Sequence, residues 1–158
     1  MRLKEGDKMA SMDIVPAAMF KDLQNSSGNS EIQGRDLRPP WLLFISESGH
    51  GKRVPLSNFR QSRFNRVGLR GYKLPEDYRL AAVFVVGFSL AEDGESDEHV
   101  VLVSQSGTVN RIKIQDVSIQ SRFARGVILM RLEHAGKIQS ASLISAATDD
   151  VINDDIDV

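Results

Sequence analysis

A chain of 158 residues with 41% apolar and 26% charged side chains has the size and composition of one ordinary globular domain. The absence of cysteine excludes disulfides, zinc-thiolate sites and thiol nucleophiles, and the longest apolar run, residues 80–86, is far too short to cross a bilayer, so no membrane partner is expected. The formal net charge of −1 conceals strong segregation: eight basic residues face only Glu76 and Asp77 between residues 50 and 79, and six face only Asp116 and Glu133 between 100 and 148. The compensating acids gather in residues 92–98 and in a tail carrying Asp149, Asp150, Asp154, Asp155 and Asp157. Charge separated in this way bears on partners more than on fold.

Taken in chain order, residues 1–19 have acids and no apolar core, and so read neither as a secretory leader nor as an organellar transit peptide. Residues 2–11 instead align with residues 131–140, so segment 1–19 is expected to be the closing strand of a truncated unit, and the chain to be a piece of a longer architecture. Residues 20–40 are polar, nearly aperiodic and end in Pro39 and Pro40, the signature of a flexible loop. Trp41 follows and reads as a core anchor at the start of a strand. Residues 41–90 form one unit, with strands expected at 42–46, 52–55, 68–73 and 80–86. Residues 91–99 are an acidic connector. Residues 100–147 form a second unit, with strands expected at 100–104, 109–114, 126–131 and 138–144, and the acidic, aromatic-free residues 148–158 are expected to be disordered. The local signal is period-two alternation: in residues 111–114 Ile112 and Ile114 point one way while Arg111 and Lys113 point the other. Ser-Gly pairs between strands supply the positive φ that tight reversals need.

The two units are copies. Ser-Glu-Ser-Gly at 46–49 followed by Gln-Ser-Arg-Phe-Asn-Arg at 61–66 returns as Ser-Gln-Ser-Gly at 104–107 and Gln-Ser-Arg-Phe-Ala-Arg at 120–125. The offset of about 58 residues is that of a large propeller-type blade, a unit that buries its apolar face only against another copy. The register continues, with residues 68–74 aligning with 126–132 and each segment ending on a basic residue followed by Leu.

These residues carry a resemblance. Residues 42–56 (Leu-Leu-Phe-Ile-Ser-Glu-Ser-Gly-His-Gly-Lys-Arg-Val-Pro-Leu), then Arg63 and Gly68, resemble a blade of the C-terminal domain of DNA gyrase A, as do residues 101–112 followed by Arg122, Gly126 to Leu129, Arg131 and Leu132. The connector at 88–99 and the wording Gln-Ser-Arg-Phe are most similar to the plant organellar form, which implies a chloroplast or mitochondrion; a bacterial form would imply the cytoplasm or nucleoid. The resemblance implies an all-β fold, a β-pinwheel (propeller-like) fragment of two four-stranded blades plus the end of a preceding one. It also implies non-specific binding and wrapping of double-stranded DNA, as an accessory to ATP-dependent supercoiling by a type II topoisomerase. The implied partners are that DNA, the remainder of gyrase A, and gyrase B. The family's catalytic tyrosine region and its glutamine-arginine-glycine box are missing from this sequence, so no catalytic residue is expected in it. No cofactor or metal is expected either, since ATP and Mg in the family are bound elsewhere.

The residues expected to meet DNA are Lys52, Arg53, Arg60, Arg63, Arg66 and Arg70 in the first unit, and Arg111, Lys113, Arg122, Arg125 and Arg131 in the second. A ladder of cations suits a ladder of phosphates, holding and bending the duplex without reading bases. The bland alternative is a solvated basic face pairing with Glu47 or Asp116, and Arg63 and Arg122 could equally brace contacts between blades through their five donors. A topoisomerase IV subunit is the nearest alternative in kind, and a protein-interaction propeller with no DNA role the alternative in class. Other motifs lead nowhere chemically. Gly49-His50-Gly51-Lys52 lacks the Gly at Ser46 and the hydroxyl at Arg53 that a phosphate-cradling loop requires, and reads as a hairpin turn. His50, His99 and His134 have no metal-ligand spacing, and no serine stands in a nucleophile pattern. The five tail aspartates could fold over the basic face and compete with DNA, or could be inert.

Overall fold

The computed structural model describes residues 3–19, 21, 37–63, 66–88, 97–134 and 136–145. Within them the chain forms β1 (Trp41–Ser46), β2 (His50–Pro55), β3 (Leu80–Val86), β4 (Glu98–Ser104), β5 (Val109–Lys113), β6 (Val127–Ile128) and β7 (Ile138–Ser145). Short 3-10 turns at Leu56–Asn58 and Ile114–Asp116 follow β2 and β5 at matching places in the two copies. The strands make two antiparallel sheets, β3-β1-β2-β6 and β5-β4-β7, which do not close into a ring. The copies share even an irregularity: the register of β1 on β3 shifts between Ile45 and Ser46, and that of β4 on β7 between Val103 and Ser104.

One core joins the sheets. Trp41, Leu43, Ile45 and Val86 of the first meet Val100, Leu102, Ile114, Val117, Met130 and Ile138 of the second. Each large aliphatic side chain buried there stabilises the fold by roughly 1.5–3 kcal/mol. Trp41 is the anchor its position suggested: it is 6% exposed, and its indole Nε1 donates to the Leu37 carbonyl at 2.8 Å. The Ile138 amide donates to the Glu47 carbonyl at 2.9 Å, fastening β7 of one copy to the β1–β2 turn of the other.

The third strand expected in each unit is where expectation and structure part. Residues 68–73 form no strand, and the strand expected at 126–131 shrinks to Val127–Ile128. That short β6 pairs with β2 of the other copy, with His50 opposite Ile128 and Gly51 opposite Val127. The second repeat therefore completes the first repeat's sheet, while its own sheet has three strands. Glycine permits this crossing. Gly126 has φ of 83°, and a Cβ there would lie 2.5 Å from the Gly51 carbonyl oxygen. Residues 68–70, the copies of 126–128, pair with no strand among the described residues.

The closing strand expected at 1–19 is likewise absent among the described residues of that segment. Instead Ser11 Oγ donates to the Val83 carbonyl at 3.1 Å, and the Val85 amide donates to Asp13 Oδ2 at 2.8 Å. Side chains thus cap the outward backbone groups of β3, the role a strand would otherwise take. Residues 22–36 of the expected loop, 89–96 of the connector and all of the expected tail at 148–158 lie outside the described residues.

Candidate nucleic-acid interface

Eleven cations were expected on one margin, and the structure sorts them by what they touch. Lys52 and Arg53 are not on the surface, which corrects the reading of both. β2 pairs with β1 along one edge, and on the other β6 meets His50 and Gly51 while residues 118–120 meet Arg53. Lys52 is 0% exposed, and its ammonium donates to the carbonyls of Ser121, Arg122 and Ala124 at 2.7, 2.9 and 3.0 Å. It also lies 4.8 Å from the centre of the Tyr72 ring. Burial pulls the Lys52 pKa down from 10.5 to about 8. Arg53 is 5% exposed, donates from Nε to the Val117 carbonyl at 2.7 Å and from a terminal nitrogen to the Gln115 carbonyl at 3.0 Å, and stacks on Trp41. Burial lowers its pKa, and the charge of Asp116 opposes that shift. Both cations are spent on backbone carbonyls of the second repeat, because a donor-rich head can satisfy carbonyls on either side of the short bridge between Arg53 and Ile119.

That loop, together with its counterpart in the first repeat, makes the basic surface. Arg60, Arg63 and Arg66 are exposed and line one concavity of about 760 Å³ with Phe59 and Leu69. Loop 121–125 lies alongside. The half-buried Arg122 guanidinium sits 5.7 Å from the Phe59 ring centre and 5.2 Å from that of Phe123, and it donates to the Arg70 carbonyl at 3.4 Å. The Tyr72 hydroxyl donates to the Arg125 carbonyl, and the Lys73 amide to the Ala124 carbonyl. Arg60, Arg63, Arg66, Arg70, Arg122 and Arg125 therefore form a basic ridge on adjoining loops of the two repeats, Arg70 and Arg125 tied in through their carbonyls, and none forms an ion pair with a described residue. Arg122 also does the bracing work that was the alternative reading of its position.

The remaining three lie elsewhere. Arg111 and Lys113 are exposed on β5, the edge strand of the second sheet, where Arg111 reaches His99 Nδ1 at 3.4 Å. Arg131 lines a small cleft with Ser106, Thr108, Glu133 and His134, where an acid shares the space. Lys73, exposed beside loop 121–125, was missed. The alignment of residues 68–74 with 126–132 sets Lys73 opposite Arg131 and contained the signal that would have found it. The Gly49 to Lys52 motif is the hairpin turn it resembled: Gly49 has φ of 79° and joins β1 to β2.

Such a ridge can hold a polyanion by charge. Among the described residues no group of His, Asp and Glu is arranged to hold a metal ion. Comparison with known proteins gives the surface its context. The profile of the family described as DNA gyrase C-terminal domain, beta-propeller, matches residues 40–87 and 98–145. The chain is 70% identical over 155 residues to the chloroplastic/mitochondrial DNA gyrase A of Nicotiana benthamiana, covering 98% of the chain and 17% of the relative. It is 30% identical over 156 residues to the DNA gyrase A of a Synechocystis strain, covering 91% of the chain and 17% of that protein. Among solved structures, a DNA gyrase A C-terminal domain superposes with a TM-score of 0.56 at 26% identity, over 66% of this chain and 33% of the other. The C-terminal domain of DNA topoisomerase IV superposes with a TM-score of 0.58 at 17% identity, over 73% and 33%, and shares the fold.

Proposed function

The chain belongs to the DNA gyrase C-terminal domain family, and on that premise we propose that it binds double-stranded DNA without base specificity and curves it. It spans about a sixth of the length of its curated relatives, 17% of the Nicotiana protein, so strand cleavage and ATP use are assigned to other regions of gyrase A and to gyrase B. The plant relatives are named chloroplastic/mitochondrial, which supports an organelle as the site of action. Identities of 70% and 71% to plant gyrase A, against 17% to the topoisomerase IV domain, favour the gyrase reading over its nearest alternative.

The observation that carries the proposal is the ridge of Arg60, Arg63, Arg66, Arg70, Arg122 and Arg125, assembled from both repeats and left without acidic partners among the described residues. Each phosphate neutralised by such a ridge releases counterions, so affinity depends steeply on salt. Retardation of a duplex longer than one helical turn, followed across a salt series from about 50 to 200 mM, tests the reading. Retention that is steep in salt and indifferent to base sequence is expected. Failure to retain duplex at the lowest salt would favour a protein-interaction module instead.

A further inference from the structure

Loop 121–125, at the junction between the two repeats, inverts the usual partition of side chains. Lys52, whose ammonium the loop encloses, is 0% exposed, while Phe123 is 57% exposed. A single apolar side chain at a surface ordinarily needs no explanation. This one is held there by a backbone tied on both sides of it. Lys52 holds the carbonyls of Ser121, Arg122 and Ala124, the Tyr72 hydroxyl donates to the Arg125 carbonyl, and the Lys73 amide donates to the Ala124 carbonyl. Beyond the loop's two ends, the Gln120 amide donates to the Arg53 carbonyl at 2.8 Å, and the Gly126 amide to Gln120 Oε1 at 3.1 Å. A loop free to rearrange would draw the ring under cover. These bonds keep it in solvent.

The ring is braced as well. The Arg122 guanidinium lies 5.2 Å from its centre and 5.7 Å from that of Phe59, and donates to the Arg70 carbonyl at 3.4 Å. Phe59 is itself packed against the cluster of Phe44, Val54 and Tyr72. A rigid aromatic side chain thus stands in solvent on the basic ridge, with Arg122 before it and the exposed Arg125 two residues after it. A DNA duplex supplies partners for both kinds of group within one nucleotide: a phosphate for a guanidinium, and the flat apolar face of a base for a phenyl ring.

We propose that Phe123 is a wedge, a role that rests on the duplex-binding reading above: its ring enters partway between two stacked base pairs while arginines of the ridge hold the flanking phosphates. Apolar side chains that part a base step kink the duplex there, so the wedge would localise the curvature that the cations alone spread evenly. The anchored backbone matters for this action, because a mobile ring would yield to the stack instead of parting it. A phenyl ring reads no base edge. Binding therefore stays indifferent to base identity and gains a preference for a step that is already weakly stacked.

Competition between an intact duplex and the same duplex carrying one central mismatch, read by anisotropy with the full chain, tests the wedge. A mismatch removes part of the unstacking cost, so the wild-type chain is expected to prefer it by about tenfold. Phe123→Ala is expected to lose that preference, to bend the intact duplex less by energy transfer between dyes at its ends, and to keep the wild-type salt slope. Phe123→Leu, which is still an apolar wedge, is expected to retain the preference. Phe123→Trp sets a reporter at the same place, expected to be quenched when duplex binds, while Trp41 in the core is not. A wild-type chain without the preference, a preference that survives in Phe123→Ala, or an indole left unquenched on bound duplex would each overturn the proposal. So would a Phe123→Ala chain with a reduced salt slope and an intact preference, since the ring would then only position Arg122. Failure to retain either duplex at the lowest salt would instead defeat the duplex-binding reading, and the wedge with it.

Discussion

Replacing Arg60, Arg63 and Arg66 together by Gln tests whether the ridge, rather than net charge in general, holds DNA. All three are exposed, line one concavity and make no ion pair among the described residues, so their loss leaves the fold intact. If the ridge neutralises about six phosphates, the logarithm of the association constant falls with the logarithm of salt at a slope of roughly −5.4, about −0.9 for each phosphate. Removing three cations leaves a slope of roughly −2.7. Between about 50 and 200 mM salt the wild-type chain then loses a factor of roughly 2,000 in affinity, and the triple variant only about 40. Fluorescence anisotropy of a labelled duplex at four or five salt concentrations resolves those slopes without extrapolation. A triple variant that binds more weakly but keeps the wild-type slope would show that these arginines do not touch phosphates, and the reasoning from the ridge would fail.

Lys52 gives a pH signature. With its folded pKa near 8 and the ordinary value at 10.5, the unfolded chain holds a proton between those limits that the folded chain has lost, so stability rises with pH through that window. From pH 7.5 to 9.5 the gain is about 2 kcal/mol by urea denaturation. It disappears in Lys52→Met, and a wild-type chain with flat stability over that range contradicts it. Trp41→Ala empties the core between the sheets and is expected to cost about 3–5 kcal/mol in the same assay, where a cost under about 1 would remove the tryptophan from the shared core. Gly126→Ala and Gly107→Ala both place a side chain at φ of 83°, but only the first collides with backbone, at Gly51. Amide exchange at Leu129 and Met130, whose amides donate to the Gly49 carbonyl, should accelerate at least tenfold in Gly126→Ala and be unchanged in Gly107→Ala.

The repeat, the all-β class and the positions of β1, β3, β4, β5 and β7 were legible in the residues because their signals are local. An apolar run marks β3, alternation marks β5, and a doubled Ser-x-Ser-Gly turn marks both hairpins. The third strand expected in each unit was not legible in the same way. Val127 and Ile128 read as strand, but nothing within a few residues of them says whose edge they meet, and the partner proves to be β2, about 77 residues earlier in the chain. Burial of Lys52 and Arg53 was hidden for a related reason. A basic pair looks the same whether its strand edge is open or covered, and beside Lys52 and Arg53 the cover is segment 115–124 of the second repeat. Arg60, Arg63 and Arg66 lie in a loop with no such cover, so their expected exposure agrees with the structure, while their role toward DNA rests on the proposal above.

Buried and exposed cations are coupled in this chain, and that coupling bears on how any loss of DNA binding should be read. Lys52 grips the carbonyls of Ser121, Arg122 and Ala124, and Arg53 those of Gln115 and Val117, so the two buried side chains set the path of the loop that presents Arg122 and Arg125. Arg122 in turn rests on Phe59 and reaches the Arg70 carbonyl, carrying that constraint into the concavity of the first repeat. A Lys52→Met variant should therefore bind DNA less well although Lys52 meets no phosphate. Two measurements separate this indirect loss from a direct one. A contact residue changes the salt slope by about one unit with stability unchanged, whereas Lys52→Met is expected to lower folding stability and speed exchange at the amides of residues 121–125, and any fall in slope comes together with that loss of order. A Lys52→Met chain with full stability and a reduced slope would return the lysine to the interface and undo the assignment made from its burial.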